Sequence, residues 1–163
     1  MEENWSACLQ TLEGHSDWVE SVVFSHDAKL LASASLDKTF KIWDTSNGKC
    51  LRMLEGHSNW VQSVVFSHDA KLLASASLDN IIKIWDASDG KYLRTLEGHS
   101  DSVQSLVFSN DTKLLASALL DRTVKIWDTS SGQCLQTLKL KRLVSIEGQS
   151  RQIQKNRDFK DMV

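Results

Sequence analysis

The dipeptides Gly-His and Trp-Asp recur in register three times along the chain: Gly14-His15 with Trp43-Asp44, Gly56-His57 with Trp85-Asp86, and Gly98-His99 with Trp127-Asp128. Successive copies stand 42 residues apart. A fixed period of this length marks stacked supersecondary units, each too small to bury its own apolar face. Between residues 11–52 and 53–94 only positions 11, 17, 20, 38, 39, 40, 45, 47 and 50 differ from their partners, so the first units are nearly interchangeable.

Within one unit, Trp18-Val19-Glu20-Ser21-Val22-Val23-Phe24 places apolar residues on alternate positions at Val22 and Phe24, Ser25-His26-Asp27-Ala28 is rich in turn formers, and Leu30-Leu31-Ala32-Ser33-Ala34-Ser35 alternates small and polar residues. Asp37-Lys38 predicts a tight turn into Thr39-Phe40-Lys41-Ile42-Trp43, whose β-branched and aromatic content favours a strand. Ser46-Asn47-Gly48-Lys49 then turns into Cys50-Leu51-Arg52-Met53-Leu54. Each unit reads as four short antiparallel strands, and with no proline in the chain no ladder bond is lost to one.

These motifs resemble those of the WD-repeat (WD40) family, and the resemblance covers about residues 5 to 138. It implies an all-β fold of three four-stranded antiparallel propeller blades, with repeats at 13–54, 55–96 and 97–138. Cys8-Leu9-Gln10-Thr11-Leu12 reproduces Cys134-Leu135-Gln136-Thr137-Leu138, so residues 1–12 read as the outer strand of a preceding blade whose other strands are missing. Propellers close with four to eight blades, so three leave an incomplete, open arc with two uncovered faces.

Residues 139–163 break the pattern and carry seven basic side chains against three acidic ones, on a chain of net charge −2. This basic tail is expected to be disordered or helical. Its charges are scattered and Phe159 is its one aromatic, which argues against nucleic-acid binding. No apolar run approaches the ~18 residues that span a bilayer, and the acidic Met1-Glu2-Glu3-Asn4 is unlike a signal peptide. The expectation is an intracellular, cytoplasmic protein without membrane insertion. Cys8, Cys50 and Cys134 occupy equivalent positions one or more repeats apart, with Tyr92 at the fourth, and lack the short spacings of a metal site. No cofactor or metal is expected, and an odd number of separated thiols suits a reducing compartment.

Ser, His and Asp recur together in every repeat, which invites a hydrolase reading. A catalytic triad needs an exposed nucleophile and an oxyanion hole, and no G-x-S-x-G elbow occurs. Three copies of one constellation argue for architecture instead, and no catalytic residue is assigned. The family resemblance implies a structural hydrogen-bond tetrad: His15, Ser33, Asp37 and Trp43; His57, Ser75, Asp79 and Trp85; His99, Ser117, Asp121 and Trp127. In the third repeat Leu119 stands where Ser35 and Ser77 stood. If the first serine of each pair is the tetrad hydroxyl nothing is lost; if it is the second, the third blade is the weakest.

The resemblance also implies a partner-binding rim where the inner strands begin: Trp18, Glu20 and Leu36, then Trp60, Gln62 and Leu78, then Ser102, Gln104 and Leu120. Tryptophan beside polar side chains on a rigid rim resembles an interaction hot spot, while packing of Trp18 and Trp60 between blades is the competing reading. Ser46, Ser88 and Ser130 replace the arginine that cullin-RING receptors carry after Trp-Asp, and no Phe-Arg-Arg-Gly phosphoinositide loop is present. The repeats are most similar to the WD arrays of fungal NACHT-type receptors. The expected function is a non-catalytic scaffold or adaptor for protein partners, in that reading the sensor part of such a receptor. The alternatives are a partial propeller that closes by homo-oligomerisation, an orphan gene fragment, and an adaptor such as one for mitochondrial fission.

Overall fold

In the computed structural model of the protein, residues 10–139 are described. The basic tail after Lys139 and residues 1–9 of the expected N-terminal outer strand, including Cys8, lie outside them.

Among the described residues twelve strands follow one another without a helix. β1 (Val19–Phe24), β2 (Leu30–Ser35), β3 (Phe40–Asp44) and β4 (Cys50–Leu54) form the first sheet; β5 (Val61–Phe66), β6 (Leu72–Ser77), β7 (Ile82–Asp86) and β8 (Tyr92–Leu96) the second; β9 (Val103–Phe108), β10 (Leu114–Leu119), β11 (Thr123–Asp128) and β12 (Cys134–Lys139) the third. Neighbouring strands are antiparallel meanders, for example Ala32↔Ile42 and Ile42↔Arg52. This is the all-β, three-bladed, unclosed architecture that the repeats predict.

Turn chemistry fixes the meander. Ser25 N donates to Leu30 O at 2.8 Å and Leu30 N to Ser25 Oγ at 2.9 Å, closing the first hairpin, while Asp27 takes the Ser25 hydroxyl at 2.8 Å. The next turn puts Lys38, Asn80 and Arg122 at φ of 70°, 66° and 66°, a left-handed conformation that costs a non-glycine residue energy. The aspartate just before each offsets that cost by holding the backbone N–H two residues on, as Asp37 Oδ1 holds Thr39 N at 2.9 Å.

The core lies between sheets rather than within one. Ala32, Ala34, Phe40, Ile42 and Leu54 of the first sheet pack against Val61, Val64, Phe66, Leu73, Trp85 and Ala87 of the second. Ala74, Ala76, Ile82, Ile84 and Leu96 of the second repeat that role against Val103, Leu106, Phe108, Leu115 and Trp127 of the third. Small alanines let the sheets approach, and large rings fill the gap; Phe40 meets Trp85 edge-on at 5.2 Å. Arg52 Nη2 reaches the carbonyl of Ser88 at 2.9 Å, and Arg94 reaches that of Ser130, stitching the outer edges together.

Among the described residues, each outer sheet leaves one face uncovered. Val22 and Phe24 are 62% and 60% exposed, whereas their equivalents Val64 and Phe66 are 1% and 9% exposed. At the other end Val107, Leu114 and Leu138 are exposed, and Leu138 corresponds to the buried Leu54 and Leu96. The same residue at the same strand position therefore contributes differently according to its neighbour. Leu96→Ala is expected to cost about 2–5 kcal/mol, and Leu138→Ala less than about 1 kcal/mol, measured as the shift of the urea unfolding midpoint at unchanged slope.

Candidate functional site: the blade tetrads and the inner rim

Gly14 turns the chain into the first blade at φ 148°, and a Cβ there would meet the Trp43 ring at 3.3 Å. The residue ahead of the histidine is thus held to glycine by both backbone and space. His15 is thereby aimed into the sheet. Trp43 Nε1–H donates to Ser33 Oγ at 2.8 Å, which leaves the hydroxyl proton for His15 Nε2 at 2.7 Å, and His15 Nδ1–H donates to Asp37 Oδ2 at 2.8 Å. The second blade repeats the chain through Trp85, Ser75, His57 and Asp79 at 2.9, 2.8 and 2.9 Å. Ser33 and Ser75, the first of each serine pair, hold the tetrad position.

The second serines have a different task. Ser35 Oγ donates to Asp17 O at 3.2 Å and accepts from Asp37 N at 3.1 Å; Ser77 binds Asn59 O and Asp79 N at 3.1 Å each. They fasten the loop after the histidine to the turn carrying the aspartate. Leu119 can do neither, and the third blade differs accordingly. The Leu120 N to Ser102 O bond lengthens to 3.4 Å, against 2.9 and 3.0 Å for its equivalents from Leu36 and Leu78.

Trp127 still donates to Ser117 Oγ at 2.9 Å, but Asp121 accepts from Ser100 Oγ at 2.7 Å instead of from the histidine. Both ring nitrogens of His99 are buried without a hydrogen-bond partner among the described residues. Its ring has tilted toward Trp127, with centroids 4.8 Å apart against 6.2 Å for His15 and Trp43. The expected third tetrad is therefore corrected: His99 stands outside it, and the loss follows from an unfastened loop rather than from a missing tetrad hydroxyl.

The electrostatics follow this division. Burial pushes the Asp37 carboxyl up, but hydrogen bonds from Thr39, His15 and Ser16 outweigh it and hold the group at about 2. Burial lowers the pKa of His57, with Asp79 opposing. Burial lowers that of His99 to about 4, assisted by Lys125 and opposed by Asp121. In the relay His57 is thereby biased toward its neutral form and Asp37 toward its ionised one, with the Ser33 and Ser75 hydroxyls engaged by their histidines. No free nucleophile is presented by Ser33 or Ser75, both buried and bonded on two sides.

The rim residues gather where the inner strands begin. Glu20, Gln62 and Gln104 each fall where the register between the first two strands of a blade shifts, so each is the extra residue of a β-bulge. Bulges re-aim side chains, a feature that a strict alternation of apolar and polar positions does not reveal. Trp18 is 78% exposed and Trp60 43%, with Leu120 also exposed. Leu36 and Leu78 are half-buried. Ser102 departs from the expected rim surface: it is buried, its amide held by Asp101 at 2.7 Å, because a small side chain sits below the level that the tryptophans reach. Among the described residues no group of three or more His, Cys, Asp or Glu side chains is placed to hold a metal ion, and Cys50 and Cys134 are free, exposed thiols.

Two outcomes are expected. Ser75→Ala strands the ring nitrogens of both His57 and Trp85 and should cost about 1–3 kcal/mol; Ser117→Ala, which strands only Trp127, should cost less, read from paired denaturant titrations. Unfolded histidine takes up its proton near 6.5 and the buried ring of His99 only near 4, so stability is complete above the first value and falls as pH drops between them. Asp37 stays ionised through that window and loses its contribution only as pH falls from 3.8 towards 2. The thermal midpoint should therefore decline on acidification, and His99→Leu should flatten that decline.

Comparison with known proteins agrees with this architecture. The family described as "WD domain, G-beta repeat" matches residues 6–44, 48–86 and 90–128. The "Vegetative incompatibility protein HET-E-1" of Podospora anserina is 58% identical over 48 residues, 29% of this chain and 4% of that protein. The "Lissencephaly-1 homolog" of Caenorhabditis briggsae is 50% identical over 36 residues, 22% of this chain and 9% of that one. "Coatomer subunit beta'-3" of Arabidopsis thaliana is 56% identical over 43 residues, 26% of this chain and 5% of that one. These matches span less than a tenth of each relative. Among solved structures, "Structure of U3-55K" superposes with a TM-score of 0.80 at 31% identity over 84% of this chain and 44% of that chain, and "Crystal structure of RRP9 WD40 repeats" with 0.80 at 32% over 84% and 43%. With three repeat matches in register, tryptophan-to-histidine relays in two blades and this superposition, the chain belongs to the WD-repeat family.

Proposed function

We propose that this chain is a non-catalytic scaffold that holds a protein partner on its inner rim, around Trp18, Glu20, Trp60, Gln62, Gln104 and Leu120. WD repeats indicate a protein-interaction scaffold, and the choice of surface rests on one observation. Trp60 belongs to the middle blade, with a sheet on each side, yet 43% of it remains exposed. A tryptophan serving only to pack blades together would be covered there, as Trp85 is at 4%. An exposed indole on a rigid strand edge beside a re-aimed polar side chain supplies large contact area at low entropic cost. No helix of the described residues is long and apolar enough to cross a membrane.

The finer reading is that these repeats are the recognition array of a fungal NACHT-type receptor. The 58% identity to HET-E-1, confined to 48 residues, supports it. Residues that differ between the near-identical repeats then set specificity: Asp17 against Asn59 and Glu20 against Gln62 both lie at the rim.

Selection of a displayed peptide library on the folded chain tests the proposal. Binders should lose at least tenfold in affinity on Trp60→Ala and on Gln62→Lys while surviving Val107→Glu, which alters the outer face of the third blade instead of a rim residue. Binders indifferent to both rim changes would overturn the assignment.

A further inference from the structure

We propose that a second copy of this chain docks head to tail on the two uncovered faces, the third blade of one copy on the first blade of the other, so that two copies close a six-bladed ring. This goes beyond the rim reading and does not depend on it.

The chain displays the required junction twice. The face of the second blade that receives the first consists of Val61, Val64, Phe66, Leu73 and Trp85, and the first blade presents Val19, Val22, Phe24, Leu31 and Trp43 at those positions. Every one of the five is the same residue; Trp43 is already covered at 3% and Leu31 is half-buried, but Val19, Val22 and Phe24 are 48%, 62% and 60% exposed where their equivalents are covered. The opposite face of the third blade offers Val107, Leu114, Ala116, Ile126 and Leu138. The second blade places Val65, Leu72, Ala74, Ile84 and Leu96 there, matching at each position, against the third. Each uncovered face is thus a copy of a surface whose proper cover is known, and that cover is the other uncovered face.

Polar edges match as well. Arg52 and Arg94 donate to the carbonyls of Ser88 and Ser130 one blade on; Gln136 occupies their position in the third blade and Ser46 the acceptor position in the first. The junction is heterologous, and two copies make it twice around a two-fold axis. Six blades lie within the range over which propellers close.

A strand exchange completes the junction. Gln10 and Leu12 lie against Gly48 as Arg52 and Leu54 lie against Gly90, and Arg94 and Leu96 against Gly132. They therefore hold the place that Gln136 and Leu138 of an arriving copy need. The conflict resolves without loss because residues 8–12 and 134–138 are the same pentapeptide. β12 is exposed along its length and pairs with β11 through Lys125↔Thr137 and Val124↔Leu138. Thr11 and Leu12 of the second copy can take that register residue for residue, so that Gln10 and Leu12 stand in the junction for Gln136 and Leu138 and β12 is released.

The test is absolute mass by light scattering on a size-exclusion column, on the full chain from micromolar to submillimolar concentration. Val22→Glu alters one face and Val107→Glu the other, both at positions exposed within the single chain, and cooperative thermal melting checks that each variant folds. The wild type is expected at twice the chain mass and each variant at the mass of one chain. An equimolar mixture of the two variants should regain dimer, since one unaltered junction remains between them. A wild type at the mass of one chain, a series of ever larger species, variants as dimeric as the wild type, or a mixture that fails to associate would each overturn the proposal.

Discussion

A four-stranded sheet with two apolar faces cannot stand alone in water, and the burial of each face by the next sheet is the constraint on which this structure depends. The alanines of β2 and β6 are fully covered because a neighbouring sheet lies within reach of a short side chain. The arrangement makes stability a property of junctions rather than of blades, so the middle blade, with two junctions, anchors the outer pair. It also means that an identical sequence has no fixed energetic value: Phe24 and Phe66 occupy the same strand position, and only one is paid in burial.

The hydrogen-bond relay is a second, weaker layer built on that packing. It joins the loop before the first strand, the second strand, the turn after it and the third strand of one blade, and so ties strands that the sheet ladder links only in sequence. Its hydroxyl is worth little by itself; its importance lies in the buried ring nitrogens it satisfies on either side. The third blade shows how far such a network depends on parts outside it. Ser117, Asp121 and Trp127 are all present, and the relay still breaks, because Leu119 no longer fastens the loop that positions His99. Leu119 gains burial in the apolar core in exchange for a polar clasp, which shifts the third blade from hydrogen-bonded to apolar packing.

Period and turn chemistry carry most of the fold in plain view. The spacing of Gly-His and Trp-Asp, the alternation around Val22 and Phe24 and the turn residues at Asp37-Lys38 place the strands to within a residue. What the sequence leaves open is positional. Ser33 and Ser35 lie two apart on the same strand and face the same way, and only their depth beneath Trp43 and beside Asp17 separates a relay hydroxyl from a loop clasp. The bulges at Glu20, Gln62 and Gln104 are hidden for a related reason, since an inserted residue leaves the apolar count of a strand unchanged. Ser102 aligns with two exposed tryptophans and yet lies buried, because equivalence along the chain fixes the Cα and not how far a side chain reaches.

Near-identity between repeats has a physical consequence of its own. When neighbouring units present the same faces, a junction cannot distinguish the next blade of its own chain from the first blade of another, and specificity has to come from connectivity instead of complementarity. Within the chain the linker between blades supplies that connection at high effective concentration. The proposed junction between two copies lacks that tether, so it would be governed by concentration and by the entropy of bringing two arcs together. Closing both junctions at once recovers much of that cost, because the second contact of a two-fold ring forms within a single complex. In the proposed association, ring and chain of arcs would share one interface, and curvature separates them: a ring requires that the angle set by the alanine-lined junctions let the second pair of faces meet.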